Sequence, residues 1–401
     1  MRSLKILAIL TFAFIAFSVE TDVYVPSFPD MVTDLGVSET SIQKILSFNF
    51  LGICLSCLFS GPLSDSFGRK RVLSLGTGLF ALASLACYYS NQFETIVFGR
   101  FIQGIGAGTI LAVACTCVFD LYEPTKSGQL VAILNAAVTV MMAFAPVMGV
   151  WLNAEFGWKS CFFFILCLAL VSWIGITFFL PETLPVKKRS PFRPKAILKG
   201  YIDLLMSRRF MTGSFVWSLM FTALIVYTAN VSLLLIGHLK TSEKAFGFYQ
   251  SITMGSFGIS SLLCSYLIGK FGGNSVRNWG TFLFFSGIVG LIAVNIFAPH
   301  SALLISVAMA VVGMGTALAI VVYFTDSMVG VRNAGAALSL VQGLRLFLSS
   351  QFTDISRVLF NGSLTSIVMV LTGIAASALA FILFLPKPKP SSHPTEIHAV
   401  L

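Results

Sequence analysis

The sequence predicts an all-α polytopic membrane protein, with twelve transmembrane helices arranged as two pseudo-symmetric bundles of six. Three observations predict it. Of 401 residues, 56% are hydrophobic and only 10% charged, whereas soluble domains carry charge on about a quarter of their residues. The apolar residues gather into runs of roughly 20, the length that spans a bilayer, and the chain has room for about a dozen. The net charge of +10 lies mainly in segments beside those runs, as expected where Lys and Arg hold loops in the cytoplasm. No folded soluble domain offers a basic face, so nucleic acid is not an expected partner.

Helices are expected over 5–26, 42–64, 72–90, 95–118, 129–153, 158–180, 210–236, 246–269, 279–298, 302–325, 334–359 and 363–385. The first follows Arg2 and Lys5 and runs into acidic residues with no small-residue cleavage site. It reads as an uncleaved span, not a signal peptide. Between the second and third helices lies the stretch that organises the chain, Gly61-Pro62-Leu63-Ser64-Asp65-Ser66-Phe67-Gly68-Arg69-Lys70-Arg71. Gly61 and Pro62 weaken a helix end there, and Gly68 allows a tight reversal. Asp65 beside three cations suggests a latch. It is expected to meet the positive N-terminal end of the eleventh helix, near Asn333.

The longest loop, from Pro181 to Arg209, carries Lys187, Lys188, Arg189, Arg193, Lys195, Lys199, Arg208 and Arg209. It reads as a cytoplasmic linker with an interfacial stretch. The expected organisation is an N-terminal six-helix bundle (1–180), the linker (181–209), a C-terminal six-helix bundle (210–385) and a cytoplasmic tail (386–401). Outer segments and helix ends hold only Lys44, Lys159, Lys240, Lys244 and Arg357, which places both termini in the cytoplasm. The halves are weak repeats: Phe67-Gly68 recurs in register as Phe271-Gly272, and Val72 as Val276. Repeats of this kind are expected of six-plus-six transporters.

Polar groups inside the spans are few, and each costs free energy unless paired, protonated or hydrated. Glu20 and Asp22 lie near the outer end of the first helix, about 200° apart around it. They sit either in the wet helix end or with one of them facing a central cavity. Arg100, in the fourth helix, enters at a matching depth of roughly 6–9 Å. Burial and a neighbouring Arg pull a carboxylate's protonation in opposite directions, which suits a group that titrates as access alternates. Pro146 and Gly149 in the fifth helix form either a simple kink or a hinge and close-packing face. Arg345 is near the middle of the eleventh helix, with Gln342 on its face and Asp354 on the opposite side. It either faces a cavity or pairs with a polar group of a neighbouring helix. Cys54 and Cys57 form a C-x-x-C inside a span, with no second pair and no nearby His. They read as small packing residues, and no metal site is expected.

These residues carry a resemblance. Asp65 with Gly68-Arg69-Lys70, Arg100-x-x-Gln103-Gly104 and Ala145-Pro146-x-x-Gly149 resemble three motifs of the major facilitator superfamily. They are its G-x-x-x-D-x-x-G-R-[RK] loop, its fourth-helix motif and the fifth-helix motif associated with antiporters. Thr21-Asp22-x-Tyr24-x-Pro26-x-x-Pro29 is similar to the first-helix pattern of the Bcr/CflA branch of bacterial drug:proton antiporters. Ala145 and Val150 stand where the fifth-helix motif usually has Gly. The resemblance spans essentially the whole chain, with its diagnostic motifs in the first half. It implies a midplane cavity, rocker-switch alternating access and multidrug efflux driven by protons across a bacterial inner membrane. It implies a monomer whose partners are a small-molecule substrate, protons and the lipid bilayer, with the proton gradient as energy source and no cofactor.

On this reading Asp22 and Glu20 couple protons and Arg100 tunes them. Tyr24, Gln103, Arg345 and Gln342 line the substrate cavity. Gly61, Asp65, Gly68, Arg69, Lys70 and Arg71 form the gating loop, and Pro146 and Gly149 the hinge. A transporter of one metabolite, such as an amino acid, sugar or siderophore, in either direction, is the alternative. A membrane enzyme is disfavoured, because H-E-x-x-H, G-x-S-x-G and Walker patterns are absent. None of His238, His300, His393 and His398 lies deep in a span.

Overall fold

The computed structural model describes residues 2–331 and 334–385. The expected tail at 386–401 and the position of Asn333 lie outside these residues. The described chain is built of α1 (Arg2–Asp22), α2 (Phe28–Leu35), α3 (Glu39–Ile42), α4 (Lys44–Phe67), α5 (Arg69–Tyr89), α6 (Phe93–Leu121), α7 (Pro124–Phe156), α8 (Lys159–Ile174), α9 (Pro194–Leu205), α10 (Arg208–Ser232), α11 (Glu243–Phe271), α12 (Gly273–Phe297), α13 (Ala302–Met328), α14 (Ala334–Leu359) and α15 (Leu364–Leu383). Two π-helical turns, Gly175–Phe179 and Leu233–His238, extend α8 and α10.

Among the described residues, ten helical segments are long and apolar enough to cross a membrane. Two more helices complete the twelve. One is α7, whose apolar stretch is Val140–Phe156. The other is α14, which carries Gln342, Arg345, Ser349, Thr353 and Ser356 along one side and is therefore less hydrophobic. The short helices α2, α3 and α9 are accessory.

The packing repeats between halves. In the first, α1 packs on α6, α7 and α8, α4 on α6, and α5 on α6 and α8. In the second, α10 packs on α13, α14 and α15, α11 on α13, and α12 on α13 and α15. The two bundles meet where α4 lies along α14 and α7 along α11. The repeat reaches single residues. Gly68 and Gly272 are the reversals before α5 and α12, with φ of 103° and 80°, a region that favours glycine.

Three expectations about local structure are corrected. The first helix ends at Asp22, not 26. The chain continues through a 3-10 turn, Val25–Ser27, into α2. Pro26 and Pro29 cause this, since proline removes a helical donor and restricts the residue before it. The second helix runs through Gly61 and Pro62 to Phe67, so the organising stretch is a one-residue break at Gly68. Pro62 leaves the carbonyl of Leu58 without its helical N–H partner. The Tyr201 hydroxyl, from α9 in the linker, donates to that oxygen at 2.7 Å. Finally, Arg69, Lys70 and Arg71 form the first turn of α5 rather than a loop. Cations are unfavourable at a helix N-terminus, and Glu182 offsets this by accepting the Arg69 backbone N–H at 2.9 Å.

Candidate functional site

Arg100 and Glu20 form a wholly buried ion pair, Nη1 to Oε2 at 2.5 Å. Beside this pair the α6 backbone packs closely on α4, where Gly104 lies directly against the Asn49 carbonyl. The rest of the guanidinium is consumed by neighbours. Nη1 also donates to Gln103 Oε1. Nη2 donates to Tyr24 Oη at 2.8 Å and to the Glu20 carbonyl at 3.3 Å. The Arg100 Cζ lies 4.4 Å from the centroid of the Tyr24 ring. Asn49 donates to Glu20 Oε1 at 3.0 Å, and Gln103 donates to Ser84 Oγ at 2.7 Å. Only the Arg100 Nε and Asn49 Oδ1 are left without partners among the described side chains of this network. Such a pair is costly to break, because removing one partner strands a buried charge at about 3–5 kcal/mol.

Of the two candidate carboxylates, the structure thus gives Glu20 to Arg100. Asp22, the last residue of α1, is 8% exposed and makes no hydrogen bond or ion pair to any described residue. Tyr24 and Gln103, expected to line a substrate cavity, are wholly buried and bound to Arg100. In this conformer they belong to the interior of the first bundle. Pro146 and Gly149 lie in α7 against the break that follows Asp22. Gly149 sits directly on the Val23 carbonyl, and any Cβ there would collide with it.

Arg345 and Gln342 share a face of α14, both partly buried. Arg345 lies over two aromatic faces of α10, 4.5 Å from the Phe221 centroid and 5.3 Å from that of Trp217. Cys57 of α4 is within electrostatic reach, so this site lies beside the seam between bundles. Arg345 makes no hydrogen bond or ion pair to any described residue, and its Nε is sealed from solvent without a partner. So is the Gln342 carbonyl oxygen. Cation–π contact supplies about 0.5–2 kcal/mol, less than the several kcal/mol needed to desolvate an ion.

The residues expected to form the gating loop gather at the break between α4 and α5. Arg69 Nη1 meets Asp65 at 2.5 Å and Ser64 Oγ at 2.6 Å, and its Nε meets Asp120 at 2.9 Å. Asp65 is half-exposed and pairs with Arg69; its expected partner, the start of the eleventh helix at Asn333, is not among the described residues. Gly61 faces Ser339 of α14. Lys70 and Arg71 stand outside the network and line a cleft of about 520 Å³ with Ser74, Glu182 and Arg189. At the other end of the bundles, polar contacts join the two halves. Gln43 donates to Asn230 at 3.0 Å, Ser350 to the Ser47 carbonyl at 2.9 Å, and His238 Nε2 lies 2.8 Å from Glu39.

The sequence reading missed Asn49, Ser84, Asp120, Glu182 and Tyr201. Asn49 had a signal, being polar in mid-span. Asp120 was discoverable by asking which acid neutralises Arg69. Ser84 and Tyr201 had none, since their roles arise only from tertiary contact.

Twelve helices in two repeated bundles, with a buried ion pair in one and an arginine without a described partner beside the seam, define a multi-span membrane transporter. The chain belongs to the Major Facilitator Superfamily, whose profile matches residues 9–351. It is 24% identical over 378 residues to multidrug resistance protein MdtL of Citrobacter koseri, covering 94% of each chain. It is 30% identical over 211 residues to MdtL of Klebsiella pneumoniae, an alignment that spans 53% of each. Among solved structures, a D-xylose-proton symporter superposes with a TM-score of 0.74 at 16% identity, over 98% of this chain and all of that one.

Proposed function

We propose that the protein is a proton-coupled antiporter that exports small amphipathic molecules by alternating access. In this reading it is a monomer in a bacterial inner membrane, its termini and the 181–209 linker cytoplasmic, and it belongs to the Bcr/CflA type. The relatives named for multidrug resistance support the substrate class. One observation carries the coupling reading. Asp22 is a nearly buried carboxylate without a partner among the described residues, placed at the break between α1 and the following turn. The glycine of the fifth-helix motif packs on the very next residue. A proton arriving at Asp22 and a movement of α7 therefore act at one point of the chain. Glu20 already has its counter-ion in Arg100, so Asp22 is the group free to exchange a proton.

The test is transport in sealed vesicles with an imposed pH gradient. Asp22→Asn keeps the shape and removes the titratable group. It is expected to abolish concentrative transport while leaving the melting temperature near that of the wild type. Undiminished accumulation by Asp22→Asn would remove Asp22 from the coupling role.

A further inference from the structure

We infer that Arg345 is the anion-binding centre of the substrate site, so that the molecule carried bears a carboxylate or similar acidic group on a flat apolar body. The inference names the substrate class of the proposed exporter and rests on that reading. Four observations converge on it. Arg345 is a permanent cation near the middle of the 26-residue α14, a depth at which a charge requires compensation. The other buried intramembrane arginine, Arg100, has a buried carboxylate at 2.5 Å, whereas Arg345 pairs with no described carboxylate.

None of the described acids from the linker onward pairs with Arg345. Asp326 pairs with Arg277 and Asp354 with Arg357, Glu243 begins α11, and Asp203 lies in α9. The protein's own answer to the charge is two aromatic rings, Phe221 and Trp217. These lie against the guanidinium, which donates no hydrogen bond to any described residue.

In-plane donors of a guanidinium fit a carboxylate in a two-pronged arrangement. The unpartnered Gln342 oxygen one turn away accepts a hydrogen bond from a ligand N–H or O–H. Trp217, itself backed by Phe324 at 5.9 Å, presents the apolar wall that a flat ligand body requires. The site therefore reads an acidic head by Arg345 and a ring by Trp217 and Phe221. An amine-bearing ligand gains nothing from Arg345 and is repelled by it.

The experiment uses the full chain purified in detergent, with three probes of one shape: biphenyl-4-carboxylate, biphenyl-4-carboxamide and biphenyl-4-methylammonium. Binding is measured calorimetrically near neutral pH. The wild type is expected to bind the carboxylate about ten- to a hundredfold more tightly than the amide, the range for hydrogen bonds to a charged group, and the ammonium most weakly. Arg345→Gln should bring carboxylate and amide to within about twofold of each other. Arg345→Lys keeps the charge without the planar fork and should retain part of the preference, which guards against misfolding of the Gln variant. Trp217→Leu should weaken carboxylate and amide by the same factor.

Equal binding of carboxylate and amide by the wild type, binding of neither, or an unchanged preference in Arg345→Gln overturns the inference. Vesicle transport separates this from the parent reading. Anion-selective binding without pH-driven transport sinks the antiport proposal alone. pH-driven transport with no selectivity for the acid sinks the inference alone.

Discussion

Arg100 and Arg345 are the same chemical group in two bundles of repeated packing, yet they are held in opposite ways. Arg100 is closed in by a carboxylate, an amide oxygen, a phenol and a backbone carbonyl. Arg345 rests on two rings and has no hydrogen-bond or ion-pair partner among the described residues. The difference shows that an intramembrane charge has two uses. A fully compensated one fixes helices to one another, because separating them would strand both ions. An uncompensated one is held at a cost, and the free energy it lacks is available to whatever binds.

The largest test of this contrast is Glu20→Gln. It leaves Arg100 buried without its counter-ion and should lower stability by about 3–5 kcal/mol, read as a fall in melting temperature in detergent. The proposed coupling puts Asp22 ahead of Glu20 for transport; for stability the expected order is reversed. A loss as small as that of Asp22→Asn would mean that the pair does not organise the first bundle.

Next is Asp120→Asn, which removes one of two carboxylates from the mostly buried Arg69. A hydrogen bond to a charged group contributes about 1.5–3 kcal/mol, and Asp65 and Ser64 remain, so about 1.5 kcal/mol or less is expected from the same melts. Arg345→Gln strands no partner. Its loss should stay within the cation–π range of about 0.5–2 kcal/mol and be offset by relief of desolvation, so that stability is nearly unchanged. If Arg345→Gln destabilised as much as Glu20→Gln, the contrast would collapse. Smallest is Glu39→Gln. The Glu39–His238 pair is more than a third exposed on both sides and is screened, so about 0.5 kcal/mol or less is expected. A larger shift would show that this contact carries the junction between halves.

The fold was legible because bilayer thickness imposes a length on every apolar run and basic residues mark the connections. The Phe67-Gly68 and Phe271-Gly272 repeat was legible because a positive φ narrows residue choice to glycine. What escaped was which polar group meets which. Glu20 and Asp22 are two residues apart, and which of them meets Arg100 depends on how α1 is rotated in the bundle, which tertiary packing sets. The second helix was expected to run through Pro62 to 64 and continues to Phe67; what the sequence did not show is how the chain tolerates that proline. Pro62 breaks a helix only if the carbonyl it frees has no other donor, and the donor lies far off in sequence.

That donor has a consequence for the order of synthesis. The Leu58 carbonyl is released by Pro62 and met by Tyr201, 143 residues later. While the first six spans emerge and insert, this oxygen has no protein partner in the second span. It is satisfied only when the linker helix has been made and has folded back against α4. The first half is thus left chemically unfinished until the chain has committed to the second, and the linker joins the halves in time as well as in space.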